Sequence, residues 1–242
     1  MPEKSPEHEH VLNAHRVREK LLDIFETYQD TFQKHQWPLE IHRWYELVRC
    51  VLSAVEGRFD PHNRATNTTK LLIDMELLDI PLLAKCSRDA SEESASQVRS
   101  DIHTVLRRTG YDLDQANNIG TALCALARAV EDKCQARIQA LLREQCVGLV
   151  GNILEQFPLD GAIGTKAARL AITHWLQNVL NLPILVDSPG LQAICKQMNA
   201  NPSDVLEAAD QLDINAALLD EILNRWFYAY PMQLGSIEGA DE

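Results

Sequence analysis

Apolar residues recur along this chain at intervals of three and four, and no segment alternates apolar and polar residues long enough to read as a strand. Val17, Leu21, Ile24, Phe25, Tyr28 and Phe32 form one such stripe, which predicts a first helix from Val11 to Gln33, ended by a loop around Trp37 and Pro38. The next segment, HRWYELVRCVLSAV at 42 to 55, is apolar nearly all round its second half and predicts a buried helix.

Further helices are predicted at 63 to 74, 79 to 86, 94 to 108, 113 to 130, 134 to 145 and 147 to 156. Glycine in the TGYD stretch at 109 to 112 suits a helix end. Ala168, Ile172, Trp175, Val179 and Leu182 form the apolar stripe of another helix, with Lys166 in its first turn and Asp187 just past its end. A helix follows at 189 to 198. The next opens at Asn201-Pro202-Ser203-Asp204, where Asn caps, Pro takes the first helical position and Asp faces the positive helix end. LLDEILNRWFYAY makes the last helix, and 233 to 242 reads as an acidic tail. The expected fold is all-α.

The apolar fraction of 45% suits a packed core. The absence of a long apolar run, and a charged start MPEKSPEHEH where a signal peptide would be apolar, predict a cytoplasmic chain without membrane contact. Its six cysteines have no C-x-x-C or zinc-ligand spacing, which predicts structural thiols. With 23 basic and 35 acidic residues the formal charge is −12, which disfavours a generic nucleic-acid binder. The excess is uneven, because 161 to 195 hold Lys166 and Arg169 against Asp187 alone. His8, His10 and His15 read as a polar terminus rather than a metal site. Trp44-Tyr45 and Trp226-Phe227-Tyr228 read as core rather than base-stacking groups, and Arg107-Arg108 as a solvated helix end.

The stretch DGAIGTKAARLAITHWLQNVLNLPILVD at 160 to 187 admits two readings. A lysine attacks a sugar carbon only as the free amine, and the positive end of a helix disfavours the ammonium form. Breaking a glycosidic bond places positive charge on the sugar, which a carboxylate stabilises. Lys166 and Asp187 supply that pair of groups; they are equally the residue types of a solvated helix start and a turn.

Four segments, in this order, resemble the endonuclease III family of helix-hairpin-helix DNA glycosylases. YELVRCVLSA at 45 to 54 is similar to the family's buried helix, and NRAT at 63 to 66 to its asparagine-lysine-alanine-threonine helix start. TGYDLDQANNI at 109 to 119 resembles its glycine-aromatic segment and following helix. IGTKAA at 163 to 168 and LPILVD at 182 to 187 resemble the hairpin end and the loop that carries the catalytic aspartate.

The resemblance implies two helical lobes, 38 to 182 and 1 to 37 with 183 to 242, and a cleft holding Lys166 as nucleophile and Asp187 as carboxylate. It implies that Gly161, Ala162, Ile163, Gly164 and Thr165 hold a DNA phosphate, and that the partner is damaged double-stranded DNA. Several positions depart from the family. Ala162 replaces a hairpin glycine, Asp160 adds negative charge, and Lys166 and Asp187 stand 21 residues apart, about three more than the family pattern. Val55 replaces a glutamine, SPGLQAIC replaces a segment with histidine and arginine, and no cysteine follows Cys195 to build an iron-sulfur cluster, so no cofactor is expected. A non-catalytic helical module that keeps this scaffold and binds a protein partner is the alternative expectation.

Overall fold

The computed structural model describes residues 6–28, 40–57, 64–88, 93–134, 150–157, 159, 165–180 and 188–229. Among these residues the chain is all-α, with no strand. Its backbone packing separates two compact units, Gln36–Val179 and Met1–His35 with Leu180–Glu242.

The larger unit contains α2 (Glu40–Glu56), α3 (Arg64–Asp74), α4 (Ile80–Arg88), α5 (Glu93–Arg108), α6 (Leu113–Cys134), a helical stretch at 150–154, and α7 (Thr165–Leu180). The second half of α2 is buried all round, with Leu47, Val48, Cys50, Val51, Leu52 and Ala54 all in the core, as its continuous apolar sequence requires. Trp44 is fully buried and donates its indole N–H to the Leu78 carbonyl at 2.9 Å, so the core pays no unsatisfied-donor cost for this large ring. Tyr45 packs against the same core, half-buried.

The connections follow from local chemistry. Asp79 accepts the Leu82 N–H at 2.8 Å and caps α4. At the end of α5 the Tyr111 N–H reaches the Leu106 carbonyl and the Gly110 N–H the Arg107 carbonyl, both at 3.1 Å, with Gly110 at φ +97°. This pair of bonds is a Schellman motif, and the left-handed residue it demands is the glycine of the TGYD stretch. Asp112 and Gln115 then exchange side chain to backbone hydrogen bonds at 2.8 and 3.1 Å, a capping box that starts α6.

Helix α6 is longer than its periodicity predicts, continuing past Val130 to Cys134. No glycine or proline interrupts Glu131–Cys134, and Arg128 pairs with Asp132 one turn on at 3.4 Å. The helix expected at 134 to 145 otherwise lies outside the described residues, and of the one expected at 147 to 156 the residues 150–154 are helical.

The smaller unit holds α1 (Pro6–Tyr28), α8 (Pro189–Met198), α9 (Pro202–Gln211) and α10 (Ala216–Ala229). Helix α1 starts five residues earlier than Val11; the predicted end at Gln33 lies outside the described residues. Val17, Leu21, Ile24 and Tyr28 form its buried stripe, which joins Ile194, Val205, Ile222, Leu223 and Trp226 in a second core. Trp226 is therefore a core residue, and Phe227 and Tyr228 beside it are half-buried with their rings edge to face. The Asn201 N–H donates to Asp204 Oδ2 at 2.9 Å, with Pro202 opening α9, as the sequence implies.

Gly190 lies where α8 crosses α10. A Cβ on it would stand 2.3 to 2.5 Å from the backbone atoms of Leu223 and Asn224, so only glycine fits. Its N–H, one of the orphan donors of a helix start, donates to Asn224 Oδ1 at 3.1 Å, and the Asn224 amide donates to Asp220 Oδ1 at 3.1 Å. No described helix is long and apolar enough to cross a membrane.

Candidate functional site

Lys166 is the second residue of α7, and its side chain is exposed. Arg169, one turn further on, is exposed too, and the first turn of α7 contains no acid, so two positive side chains flank the positive end of the helix. The other side of the helix is deeply packed: Ala167, Ala168, Ala171 and Trp175 are all fully buried in the core of the larger unit. Ile172 and Val179 of the predicted stripe pack against that core partly buried. The periodicity therefore locates the packed side near Ala168 and Trp175, and the two additional alanines widen it.

Thr165 is the first residue of α7. Gly161, Ala162, Ile163, Gly164, Leu182 and Asp187 lie outside the described residues. Immediately after Asp187, Ser188 is buried and caps α8, its Oγ accepting the Leu191 N–H at 3.2 Å.

Two hydrogen bonds bind α7 to α2 across 132 residues of sequence. The Trp175 indole donates to the Arg43 carbonyl at 2.9 Å, and the Asn178 amide donates to Glu46 Oε1. Glu46 is only 2% exposed. Its Oε2 accepts from Arg49 Nε at 2.7 Å, and its Oε1 also accepts from Arg49 Nη2 and from the Cys50 thiol at 3.6 Å. Sequence reasoning passed over this cluster; its one signal was an acid at 46 with an arginine three residues on, inside a run otherwise suited to complete burial.

A second polar cluster joins three of the segments that carry the sequence resemblance. The Tyr111 hydroxyl donates to Glu56 at the end of α2, and the Arg64 guanidinium stands 4.1 Å from the centroid of the Tyr111 ring and 3.3 Å from Glu56. Arg64 also donates to the Gly110 carbonyl at 2.6 Å, and Arg107 donates to the Tyr111 carbonyl at 2.9 Å. Burial, and secondarily the Glu56 carboxylate, push the Tyr111 phenol well above its usual range. Arg64 of NRAT and Gly110-Tyr111 of TGYD are thus tied to the helix of YELVRCVLSA. Both arginines at the end of α5 are exposed, and Arg107 has this structural role as well.

Val55 packs half-buried against the core. Cys50, Cys86 and Cys124 are buried free thiols, and Cys195 is partly buried. His15 lies 3.6 Å from Glu19 on the exposed face of α1, and the side chains of His8 and His10 are outside the described set. Among the described residues no group of three or more His, Cys, Asp or Glu side chains could hold a metal ion. No family model, curated protein or solved structure matches the chain.

Proposed function

We propose that the chain is a DNA glycosylase with associated AP lyase activity, acting on a damaged base extruded from duplex DNA. The observation that carries this reading is the placement of Lys166: an exposed amine in the first turn of a helix whose other side is locked into a core by Ala167, Ala168, Ala171 and Trp175. A nucleophile needs a rigid support and an open approach, and this position combines them. Arg169 and the acid-free first turn add local positive charge where a phosphate backbone would approach, against an overall charge of −12.

In this reading the Lys166 amine forms a bond to the anomeric carbon as the bond to the damaged base breaks, and the base departs with the electron pair. The lysine nitrogen then loses its proton, the sugar ring opens, and the resulting Schiff base acidifies the neighbouring C2′ hydrogen. Loss of that proton expels the 3′ phosphate and cuts the strand. Asp187 is the carboxylate that stabilises the positive charge on the sugar, and 161 to 165 hold a phosphate through backbone N–H groups.

Borohydride trapping on duplex DNA carrying an abasic site tests the reading. Wild type is expected to form a covalent complex that Lys166→Gln does not form. Equal trapping by both, or trapping by neither, would overturn the lyase mechanism.

A second reading is a non-catalytic helical module that binds a protein. It is favoured by Leu71, in the last turn of α3, and Met75, just past its end, with 44% and 51% of their surface exposed. Absence of trapping by wild type would favour this module.

A further inference from the structure

We infer that Glu46, with Asn178 and Arg49, is a positioning group for Lys166 that sets the register of α7 on α2; this rests on the proposed role of Lys166 as nucleophile. Ala167, Ala168 and Ala171 are buried together with Trp175, so on this side of α7 one large side chain stands among three small ones. Interdigitating side chains fix a helix against its neighbours, and small ones resist sliding and rotation less. Directional bonds add to that constraint.

The two bonds to α2 have the geometry to do so. Trp175 and Asn178 are three residues apart on α7, and their partners Arg43 and Glu46 are three residues apart on α2. Two attachment points fix both the axial position and the rotation of a rod. A slip of one residue along a helix is about 1.5 Å of translation with about 100° of rotation. A rigid helix transmits both to Lys166, which lies 12 residues, or about 18 Å, toward the N-terminus of α7.

Glu46 makes wrong registers costly. It is a buried carboxylate held by Arg49 from its own helix, so its charge is balanced within α2 before α7 is counted. Its Oε1 nonetheless faces α7 and accepts from Asn178. A shifted α7 would withdraw that donor from a buried charged acceptor, which costs more than losing a bond between exposed groups. Buried ionic groups of this kind contribute little net stability but discriminate between packings.

The test follows the rate of borohydride trapping in single turnover on an abasic-site duplex, with DNA varied to saturation and melting temperature measured alongside. Asn178→Leu keeps the branched shape of the side chain while removing the donor. The trapping rate at saturating DNA is expected to fall roughly ten- to a hundredfold, the loss associated with misplacement of a reacting group by about 1 Å, with half-saturation unchanged. Asn178→Gln, which keeps an amide donor, is expected to recover a substantial part of that rate. A wild-type rate in Asn178→Leu would overturn the inference. So would a loss seen only in half-saturation, or a loss that tracks melting temperature equally in both variants. If wild type itself does not trap, the proposed lyase fails and the positioning role falls with it, an outcome distinguished by the wild-type control.

Discussion

Tyr111 and Glu56 are 55 residues apart in sequence, yet the tyrosine hydroxyl donates directly to the glutamate carboxylate, with Arg64 against the tyrosine ring. The contact ties the turn after α5 to the end of α2. Replacing Tyr111 with Phe keeps the ring under Arg64 and removes the hydroxyl, with its bonds to the charged Glu56 and to Thr68, so the expected loss is about 1 to 3 kcal/mol in a urea unfolding curve. An unchanged midpoint would mean that Arg64 alone satisfies Glu56.

Cys124 gives the chain an alkaline liability. Its thiol is pushed up to about 12, chiefly by burial and next by the neighbouring Cys86, with Arg99 opposing. The unfolded chain releases this proton near pH 8.5, whereas the folded chain keeps it, so the unfolded state binds fewer protons above that pH. Stability therefore falls as pH rises from about 9 toward 12, by at most about 1.4 kcal/mol per pH unit from this group. Chemical denaturation at pH 7 and pH 10 should show the drop, and Cys124→Ala should reduce it. A slope unaffected by the substitution would assign the loss to other groups.

Gly190 is the position at which a single methyl group should do most damage in the smaller unit. The added Cβ would meet backbone atoms of α10, which cannot rotate away as a side chain could. Gly190→Ala is expected to cost about 1 to 3 kcal/mol or more by forcing the helices apart and stretching the bond to Asn224. Thermal melting measures it. A melting temperature within a degree of wild type would show that α8 can shift freely on α10.

These relationships mark where sequence reading succeeds and where it stops. The all-helical class was legible because burial leaves a three-to-four spacing in any one helix, as at Val17, Leu21 and Ile24. Caps were legible for the same local reason: Asn201-Pro202-Ser203-Asp204 carries its instructions within four residues. The extent of α6 was less so, since a helix can continue through polar residues when nothing interrupts it.

The long-range partners were not legible. Nothing near Glu46 names Asn178, and nothing near Gly190 names Leu223 as the backbone it must approach. Polar residues in an apolar stretch signal that a partner exists without identifying it. For the candidate site, Lys166 could be placed in a helix's first turn from the pattern, whereas the bonds that hold that helix at Trp175 and Asn178 depend on which helix lies alongside.

Residues 160 to 164, just before Lys166, lie outside the described residues, and their chemistry alone sets the expectation. Relative to the family they resemble, Ala162 replaces a glycine that lets backbone approach a phosphate, and Asp160 places a negative charge beside it. With an overall charge of −12, the proposed glycosylase should bind DNA weakly, lesion-selectively and with a shallow salt dependence, because few phosphates are neutralised while the proposed lesion site would still take an extruded nucleotide. The double substitution Ala162→Gly and Asp160→Pro lets the backbone N–H at 162 approach a phosphate and removes a repelling carboxylate, and should tighten binding to abasic-site duplex by about 1 to 3 kcal/mol. The measurement is affinity for abasic and intact duplex across a salt series. No gain from the repair, together with equal affinity for the two duplexes, would make Lys166 an ordinary surface lysine and Asp187 an ordinary turn acid.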